Sequence, residues 1–345
     1  MATRDRAIPW ARFAPLLLTL LLVGCATGDG FRAGSVLRSV DNDSLDHSDD
    51  QYTSGLSLSY ISKPAASFRE TPLGESLGGA LDERWPFAEQ DQRFVIYSLS
   101  HRIFTPTDLS ATDVVEDDLP YSALLYATVT AGSQSRDALS AYSLTLGLVG
   151  PLAFGEAVQS TVHDWIGSEE PEGWDEELRN EPLLNFGVEH RHRLRRFGSA
   201  TGFGGDVLAS ASGSVGNLQT QATLASTVRV GYQVPTNFHM LAPFLAEESL
   251  GLRSYDPVRE RRSFYAFTGL GATALLNAIY LDGNTFADSH DVDHDHHVLR
   301  ASTGLAGQYG PLLATLSYEW ATLPWDHPDG LNDEAYVRLG VSWDF

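Results

Sequence analysis

Lysine and cysteine are nearly absent from this chain of 345 residues. The single cysteine, Cys25, excludes an internal disulfide, and Lys63 is the only lysine. Positive charge is scarce as a whole, because 23 lysine and arginine residues stand against 45 aspartate and glutamate residues and leave a formal net charge of −22. A chain this acidic repels phosphate groups, so the composition excludes non-specific binding to nucleic acid.

Long apolar runs are also missing after residue 25, where none reaches the roughly 20 residues of a membrane-spanning helix. Before it, three arginines precede an apolar run over residues 16–23, and small residues follow. This order predicts a secretory signal peptide over residues 1–25, followed by a single domain over residues 26–345. Leu22-Val23-Gly24-Cys25 resembles the lipobox of a lipoprotein, in which Cys25 is lipidated. Cleavage after Ala26 by the ordinary signal peptidase is the alternative.

The rest of the chain alternates with a period of two, which is typical of β-strands. In the last ten residues the odd positions are apolar, whereas the even positions are mostly small or polar. The alternation recurs in segments 55–60, 142–148 and 314–320. A soluble β-sandwich has the same pattern, but a second face of Gly, Ser and Thr favours the lumen of a membrane barrel, with the apolar face towards lipid.

Twelve segments carry this pattern, and an even number of strands closes an antiparallel barrel without an unpaired edge in lipid. The sequence therefore predicts an all-β fold, a twelve-stranded antiparallel outer-membrane β-barrel with one short helix near residues 155–166. The predicted strands are 34–41, 53–62, 93–104, 120–132, 138–149, 182–196, 202–214, 217–233, 264–281, 297–308, 311–322 and 334–345. The long connections 63–92, 105–119 and 282–296 are interpreted as extracellular loops.

The helix is predicted from apolar residues at helical spacing between Gly155 and Gly167. Gln159 and His163 are four residues apart and therefore share a face. A histidine there suits a general base near neutral pH, with a carboxylate such as Glu169 to hold its tautomer. The alternative is a histidine that caps the helix or binds a backbone carbonyl.

Two acidic or histidine-rich clusters are candidates for binding cations. Segment 41–50 contains oxygen ligands dense enough for Ca²⁺, although a solvated acidic loop has the same composition. Segment 288–297 alternates Asp and His and resembles a tract that scavenges transition metals, or else a solvated loop. Next to the first cluster, Thr53 is two residues before Gly55 in the same predicted strand. Alternate residues of a strand face the same side, so Thr53 is predicted to face the lumen together with Gly55 and the small residues that follow.

The densest positive charge lies at Arg191, Arg193, Arg195 and Arg196. Guanidinium groups bind lipid phosphates in a bidentate way, which is one interpretation of this cluster. The other, favoured here, is that these arginines pair with acidic residues across the lumen. No phosphate-binding Gly-rich loop, zinc-protease helix or Gly-x-Ser-x-Gly nucleophile motif is present in the sequence.

Several segments, spread in order over nearly the whole chain, resemble the outer-membrane lipid A deacylase family. They are Asn42-Asp43, Tyr52-Thr53-Ser54-Gly55, the stretch 147–167 with Gln159 and His163, Gly173-Trp174-Asp175, Asn180-Glu181-Pro182 and Leu281-Asp-Gly-Asn-Thr285. The resemblance implies a barrel in the bacterial outer membrane with its active site in the lumen near the outer leaflet. It also implies a Ca²⁺-dependent carboxylic ester hydrolase that removes the 3′-linked acyloxyacyl chain of lipid A.

Carried over by position, the family's active-site residues fall on Asn42, Asp43, Thr53, Gln159, His163 and Glu169. The resulting hypothesis is that His163 removes a proton from the water that attacks the ester. Asp43 and Glu169 hold Ca²⁺, which polarises the carbonyl, and the remaining three residues fix substrate and water by hydrogen bonds. The expected partners are lipopolysaccharide and other outer-membrane lipids, and we expect a monomer. The alternatives are a non-enzymatic barrel or channel, and a phospholipase acting on another outer-leaflet lipid.

Overall fold

The computed structural model describes residues 34–42, 51–166, 170–240, 255, 262–325, 330 and 332–345, without the side chains of 40–42, 51–54, 165 and 166. Twelve strands account for most of this part of the chain. In chain order, β1 to β12 are Gly34–Asn42, Gln51–Ser62, Gln92–Thr105, Ser122–Gln134, Ala138–Val149, Glu181–Gly198, Phe203–Gly216, Gln219–Tyr232, Arg262–Ala278, His297–Tyr309, Leu312–Thr322 and Asp333–Asp344.

Each strand pairs antiparallel with its neighbours in the chain, and β1 pairs with β12, so the sheet closes into a barrel. The predicted twelve-stranded antiparallel barrel is therefore confirmed. Closure gives every strand two partners, which a sheet surrounded by lipid requires because lipid offers no hydrogen bonds to an open edge.

The barrel is polar inside and apolar outside. On β5, Leu144 and Leu146 are exposed on the outer surface, whereas Thr145 between them is buried and lies 2.9 Å from the hydroxyl of Thr128 on β4. On the neighbouring pair β2 and β3, Ser59 and Ser98 form a similar hydroxyl contact of 2.8 Å inside the barrel. The prediction that small polar residues face the lumen and apolar residues face outwards is confirmed.

Successive connections of an antiparallel barrel lie at opposite ends. We call the end where β1 stops the upper end, and it carries connections 106–121, 150–180 and 279–296. Connection 63–91 lies at the lower end, together with residues 34 and 345. The interpretation of 63–92 as a loop on the same side as the other two long connections was therefore wrong.

Three α-helices lie in the described connections, where the sequence predicted one. Helix α2, Gly155–Ile166, has the predicted bounds, whereas α1, Gly74–Asp82, and the single turn α3, Ile279–Asp282, were not predicted. Segment 63–91, which contains α1, covers the outward-facing wall near the lower end. There the indole N–H of Trp85 donates to Ser133 Oγ on β4 at 2.8 Å.

The lumen is filled at its lower end by segment 234–240, which follows β8 and is buried throughout. Arg191 donates to the carbonyl of Phe238 at 2.8 Å and pairs with Glu189 at 2.7 Å. Arg193, on the same strand, pairs with Asp206 of β7. Both arginines are buried and pair with acidic residues inside the barrel, as predicted, but their partners lie on the same or the adjacent strand and not across the lumen.

The upper part of the lumen is filled by apolar side chains. Tyr280, in the turn α3, stacks on Phe104 of β3 with ring centroids 4.1 Å apart. Both belong to a buried cluster that includes Trp325 and Tyr336. Among the described residues, no helix has the length and apolar character needed to cross a membrane.

Candidate functional site

Helix α2 packs against the outward-facing surface of the barrel at its upper end. Ile103 of β3 and Ala123 of β4 are paired residues on the outer face, and both are buried in a cluster with Ala153 and Trp174 of connection 150–180. Leu146, further down the same wall, is 55% exposed. The expectation of a site in the lumen was therefore wrong, because the connection folds over the outer wall to cover these apolar side chains.

The start of α2 is fixed by a short chain of hydrogen bonds. A single 3₁₀ turn, Pro151–Ala153, precedes the helix, and the backbone N–H of Leu152 donates to Asn180 Oδ1 at 2.8 Å. The carbonyl of Ala153 lies 2.8 Å from Nε2 of His101 on the outer face of β3. Together these contacts tie the 3₁₀ turn before the helix both to the wall and to the residue that precedes β6.

Gln159 and His163 are the two predicted site residues whose side chains are described, and each is only 2% exposed. They lie one turn apart on α2, as predicted. The indole N–H of Trp174 donates to Gln159 Oε1 at 2.9 Å. The amide nitrogen of Gln159 is buried and has no hydrogen-bond partner among the described residues. The structure thus joins Gln159 to Trp174, with the buried His163 one helical turn further along α2.

Asn42 and Thr53 lie at the upper ends of the first two strands. Asn42 pairs with Ser54, and Ser54 pairs with Ile103, which belongs to the wall cluster beneath α2. The backbone at both predicted positions is therefore near the base of the candidate site. The pairing of β2 with β3 is irregular between Gln51 and Ser54. This irregularity interrupts the alternation on which the lumen-facing prediction for Thr53 depended, and that prediction stays untested.

Asp43 and Glu169, the predicted calcium ligands, lie outside the described residues. In the sequence, Asp43 is the residue after β1, and Glu169 comes three residues after the end of α2. Carboxylate oxygens are the ligands that Ca²⁺ prefers, so the chemistry of this donor set fits the ion. Within the described ranges, no three His, Cys, Asp or Glu side chains are grouped closely enough to hold a metal.

In connection 150–180, Glu177 is an acidic residue whose surroundings raise the pKa of its carboxyl group. It follows the 3₁₀ turn Trp174–Glu176, and its backbone N–H donates to the carbonyl of Trp174 at 3.3 Å. Burial, and secondly the nearby negative charge of Glu156, raise the pKa of the Glu177 carboxyl to about 7. The carboxyl therefore changes charge near neutral pH.

Two residues of the motifs that resemble the lipid A deacylase family, Glu181 and Asn284, form hydrogen bonds that join two connections near the site. The backbone N–H of Arg179 donates to Asn284 Oδ1, and Asn284 Nδ2 donates back to the Arg179 carbonyl, both at 2.8 Å. Glu181 accepts from the backbone N–H of Phe286 at 3.1 Å. These bonds clamp connection 279–296 onto the end of connection 150–180. The sequence motifs indicated these positions without indicating that their role is to join two connections.

The histidine-rich segment 288–297 forms local contacts with its own end of the barrel. His290 Nε2 lies 2.7 Å from the carbonyl of Asp118, and His296 Nδ1 lies 3.0 Å from the carbonyl of Leu275. His294 pairs with Asp282 of α3 at 3.3 Å, and the hydrogen bond with that carboxylate raises the pKa of His294. These contacts tie the segment to its surroundings, and the metal-scavenging interpretation stays a prediction.

Comparison with known proteins gives a matching family and similar solved folds. A family model described as outer membrane protein LpxR matches residues 14–345. The solved structure of LpxR from Salmonella typhimurium has a TM-score of 0.71 and 19% identity, covering 90% of this chain and 100% of that chain. The β domain of the Bordetella autotransporter BrkA has a TM-score of 0.43 and 12% identity, covering 91% and 99%. No curated protein matches the chain. Because the family model spans almost the whole sequence, the chain belongs to the LpxR family of outer-membrane proteins.

Proposed function

We propose that this outer-membrane protein is a hydrolase that removes the 3′-linked, ester-bound acyloxyacyl chain of lipid A. The observation that carries the proposal is the buried pair of Gln159 and His163, which α2 holds against the lipid-facing wall of the barrel. A lipid of the outer leaflet reaches this position by lateral diffusion, without entering the lumen. Membership of the LpxR family supports the same substrate.

In the proposed reaction, His163 acts as the general base. It accepts a proton from a water molecule, the water oxygen attacks the ester carbonyl, and the proton then passes to the departing sugar oxygen. The products are the free acyloxyacyl acid and the sugar hydroxyl, and no covalent intermediate is needed. Gln159, Asn42 and Thr53 are proposed to hold the ester and the water by hydrogen bonds.

Calcium is the proposed cofactor, with Asp43 and Glu169 as ligands. When bound, Ca²⁺ supplies a Lewis acid that polarises the ester carbonyl. The connections at the upper end contain one arginine, Arg179, and no lysine, against many Asp and Glu residues. A divalent cation therefore also has a second use there, since it reduces repulsion between these carboxylates and the phosphates of lipid A.

The filled lumen argues against the alternative of a channel. Segment 234–240 occupies the lower part, and apolar side chains around Tyr280 occupy the upper part. Arg191 and Arg193 are buried in the lower lumen and are therefore removed from contact with lipid phosphates. A phospholipase would have its site in the same place. Lipid A deacylase and phospholipase activity must therefore be distinguished by the products released from defined lipids.

The first test is mass spectrometry of lipid A from cells that produce the wild-type chain or His163→Ala. We expect the wild type to remove a mass equal to one ester-linked acyloxyacyl unit, and chelation of Ca²⁺ to prevent it. Loss of a general base lowers rates by about 10²–10⁴, so His163→Ala should leave lipid A almost unchanged. Folding of each variant is checked by the heat-dependent shift of the barrel on gels.

His297→Ala is the matched control, because His297 is an exposed residue at the start of β10, which does not neighbour the strands β3 and β4 beneath α2. It should modify lipid A as the wild type does. Full activity of a folded His163→Ala protein would remove the assigned base. Unchanged lipid A with folded wild-type protein, together with fatty-acid release from glycerophospholipids, would support the phospholipase alternative instead.

A further inference from the structure

Only one of the two polar atoms in the side-chain amide of Gln159 has a hydrogen-bond partner among the described residues. Its oxygen accepts the hydrogen bond from Trp174 Nε1 at 2.9 Å, whereas its nitrogen is buried and has no partner among the described residues. Buried polar groups in proteins are nearly always hydrogen-bonded. A buried N–H₂ group without a partner, one helical turn from His163, therefore indicates a donor whose partner is a bound molecule.

The orientation of this amide follows from the chemistry of Trp174. An indole N–H can only donate a hydrogen bond, so the amide must turn its oxygen towards Trp174 and its nitrogen away. Trp174 is itself fixed, since it is 5% exposed and its ring centroid lies 4.9 Å from that of Tyr121. Without the indole N–H, the two orientations of the amide would be far closer in energy.

We propose that Trp174 is a positioning residue that fixes the amide of Gln159 with Nε2 towards the reacting ester. In this orientation Nε2 donates to the ester carbonyl oxygen as that oxygen gains negative charge. A donor that is oriented before the reaction stabilises this charge without reorganisation, and removing one such donor typically costs about 10²–10³ in rate. This inference rests on the proposed function, because it requires an ester substrate at His163.

The test measures kcat and KM for Trp174→Phe, which keeps an aromatic ring at this position and removes the N–H together with part of the indole. Since one hydrogen bond to a neutral group changes an equilibrium by up to about tenfold, we expect kcat to fall about tenfold with little change in KM. Gln159→Glu keeps an acceptor for Trp174 and removes the donor, so kcat should fall about 10²–10³-fold. Trp85→Phe is the matched control, because the N–H of this buried tryptophan donates to Ser133 near the lower end.

A double-mutant cycle separates positioning from packing. In a Gln159→Met background the amide is absent, so Trp174→Phe should no longer lower kcat. An equal loss in both backgrounds, or unchanged kcat in Trp174→Phe alone, would overturn the inference while leaving the hydrolase intact. A folded wild-type protein that cleaves no lipid ester would instead refute the proposed function, and the role of this donor with it.

Discussion

Gly155 is the residue that allows α2 to lie close to the barrel wall. A Cβ atom at this position would lie 2.3 Å from the Trp174 ring and 2.6 Å from the Cβ atom of Ala123. Both neighbours are buried in the wall cluster, so neither has free space into which it can move. The close contact that places Gln159 beside Trp174 therefore requires glycine, which has no side chain, at position 155.

We predict that Gly155→Ala displaces α2 from the wall while the barrel stays folded. Overpacking of this kind costs about 1–3 kcal/mol, and here the strain falls on a connection and not on the strands. Limited proteolysis should cut connection 150–180 faster in the variant, with an unchanged temperature for unfolding of the barrel. Gly213→Ala is the control, since its Cβ would have only an ordinary contact of 3.5 Å. Equal cleavage of all three proteins would contradict the prediction.

For individual residues, the sequence predicts contacts within a helix or strand better than contacts between separate elements. The spacing of Gln159 and His163 placed them on one face of a helix, because four residues make about one turn. The bond from Trp174 to Gln159 joins residues in separate elements, and no periodicity reports it. The prediction for Thr53 relied on unbroken alternation, which the irregular pairing between Gln51 and Ser54 interrupts.

Connection 150–180 behaves as one supporting element for the site, and its stability depends on Glu177. The raised pKa of this carboxyl, about 7 instead of 4.5, means that the folded connection favours the protonated form. A group with a raised pKa stabilises the fold fully below its ordinary pKa, and this contribution is lost as the pH rises through the folded value. The turn that carries Trp174 is therefore held less firmly at pH 8 than at pH 6.

We predict that Glu177→Gln removes most of this pH dependence. In the wild type, protease cleavage of connection 150–180 should accelerate between pH 6 and pH 8, since ionised Glu177 is both partly desolvated and repelled by Glu156. The glutamine variant should be cut at nearly the same rate at both values, after correction for the pH dependence of the protease. Glu176→Gln, which removes the neighbouring exposed carboxylate, should behave as the wild type. A wild-type rate that is independent of pH would contradict the assignment.

Elements without a strong periodic pattern were the ones the sequence did not predict. Helix α1 contains Gly74, Gly78 and Gly79, and glycine disfavours helices by about 1 kcal/mol per residue. The structure explains one of them, since a Cβ on Gly78 would lie 2.4 Å from the carbonyl oxygen of Phe68. The close approach of two chain segments, and not helix propensity, determines this element.

The barrel as a whole was predictable because a two-residue alternation recurs in many of its strands. Strand β5, over residues 138–149, was predicted with its observed bounds. What fills or covers the barrel was not predictable, because it depends on connections that lack a period. Alternation distinguishes the two faces of a strand. It does not indicate that connection 150–180 covers the outer wall or that segment 234–240 enters the lumen.

The lower lumen is closed by a network centred on Asp206. Its carboxylate accepts hydrogen bonds from Arg229 Nε and Nη2, both at 2.8 Å, and from Arg193. The same guanidinium groups donate to backbone carbonyls of segment 234–240, at 3.0 Å for Arg193 to Thr236 and for Arg229 to Pro235. Asp206 therefore orients both arginines, and the arginines hold the segment inside the barrel.

We predict that Asp206→Ala opens the lower lumen and lowers the stability of the barrel. Removing one member of a buried ionic network costs about 3–5 kcal/mol, because the charges left behind are uncompensated. The variant should unfold at a lower temperature and conduct ions in planar bilayers, where the wild type should conduct little. Asp137→Ala is the matched control, since this exposed carboxylate lies 3.9 Å from the same Arg193, and exposed pairs contribute about 0–1 kcal/mol. Equal conductance of all three proteins would mean that the apolar cluster around Tyr280 closes the upper lumen without help from the lower segment.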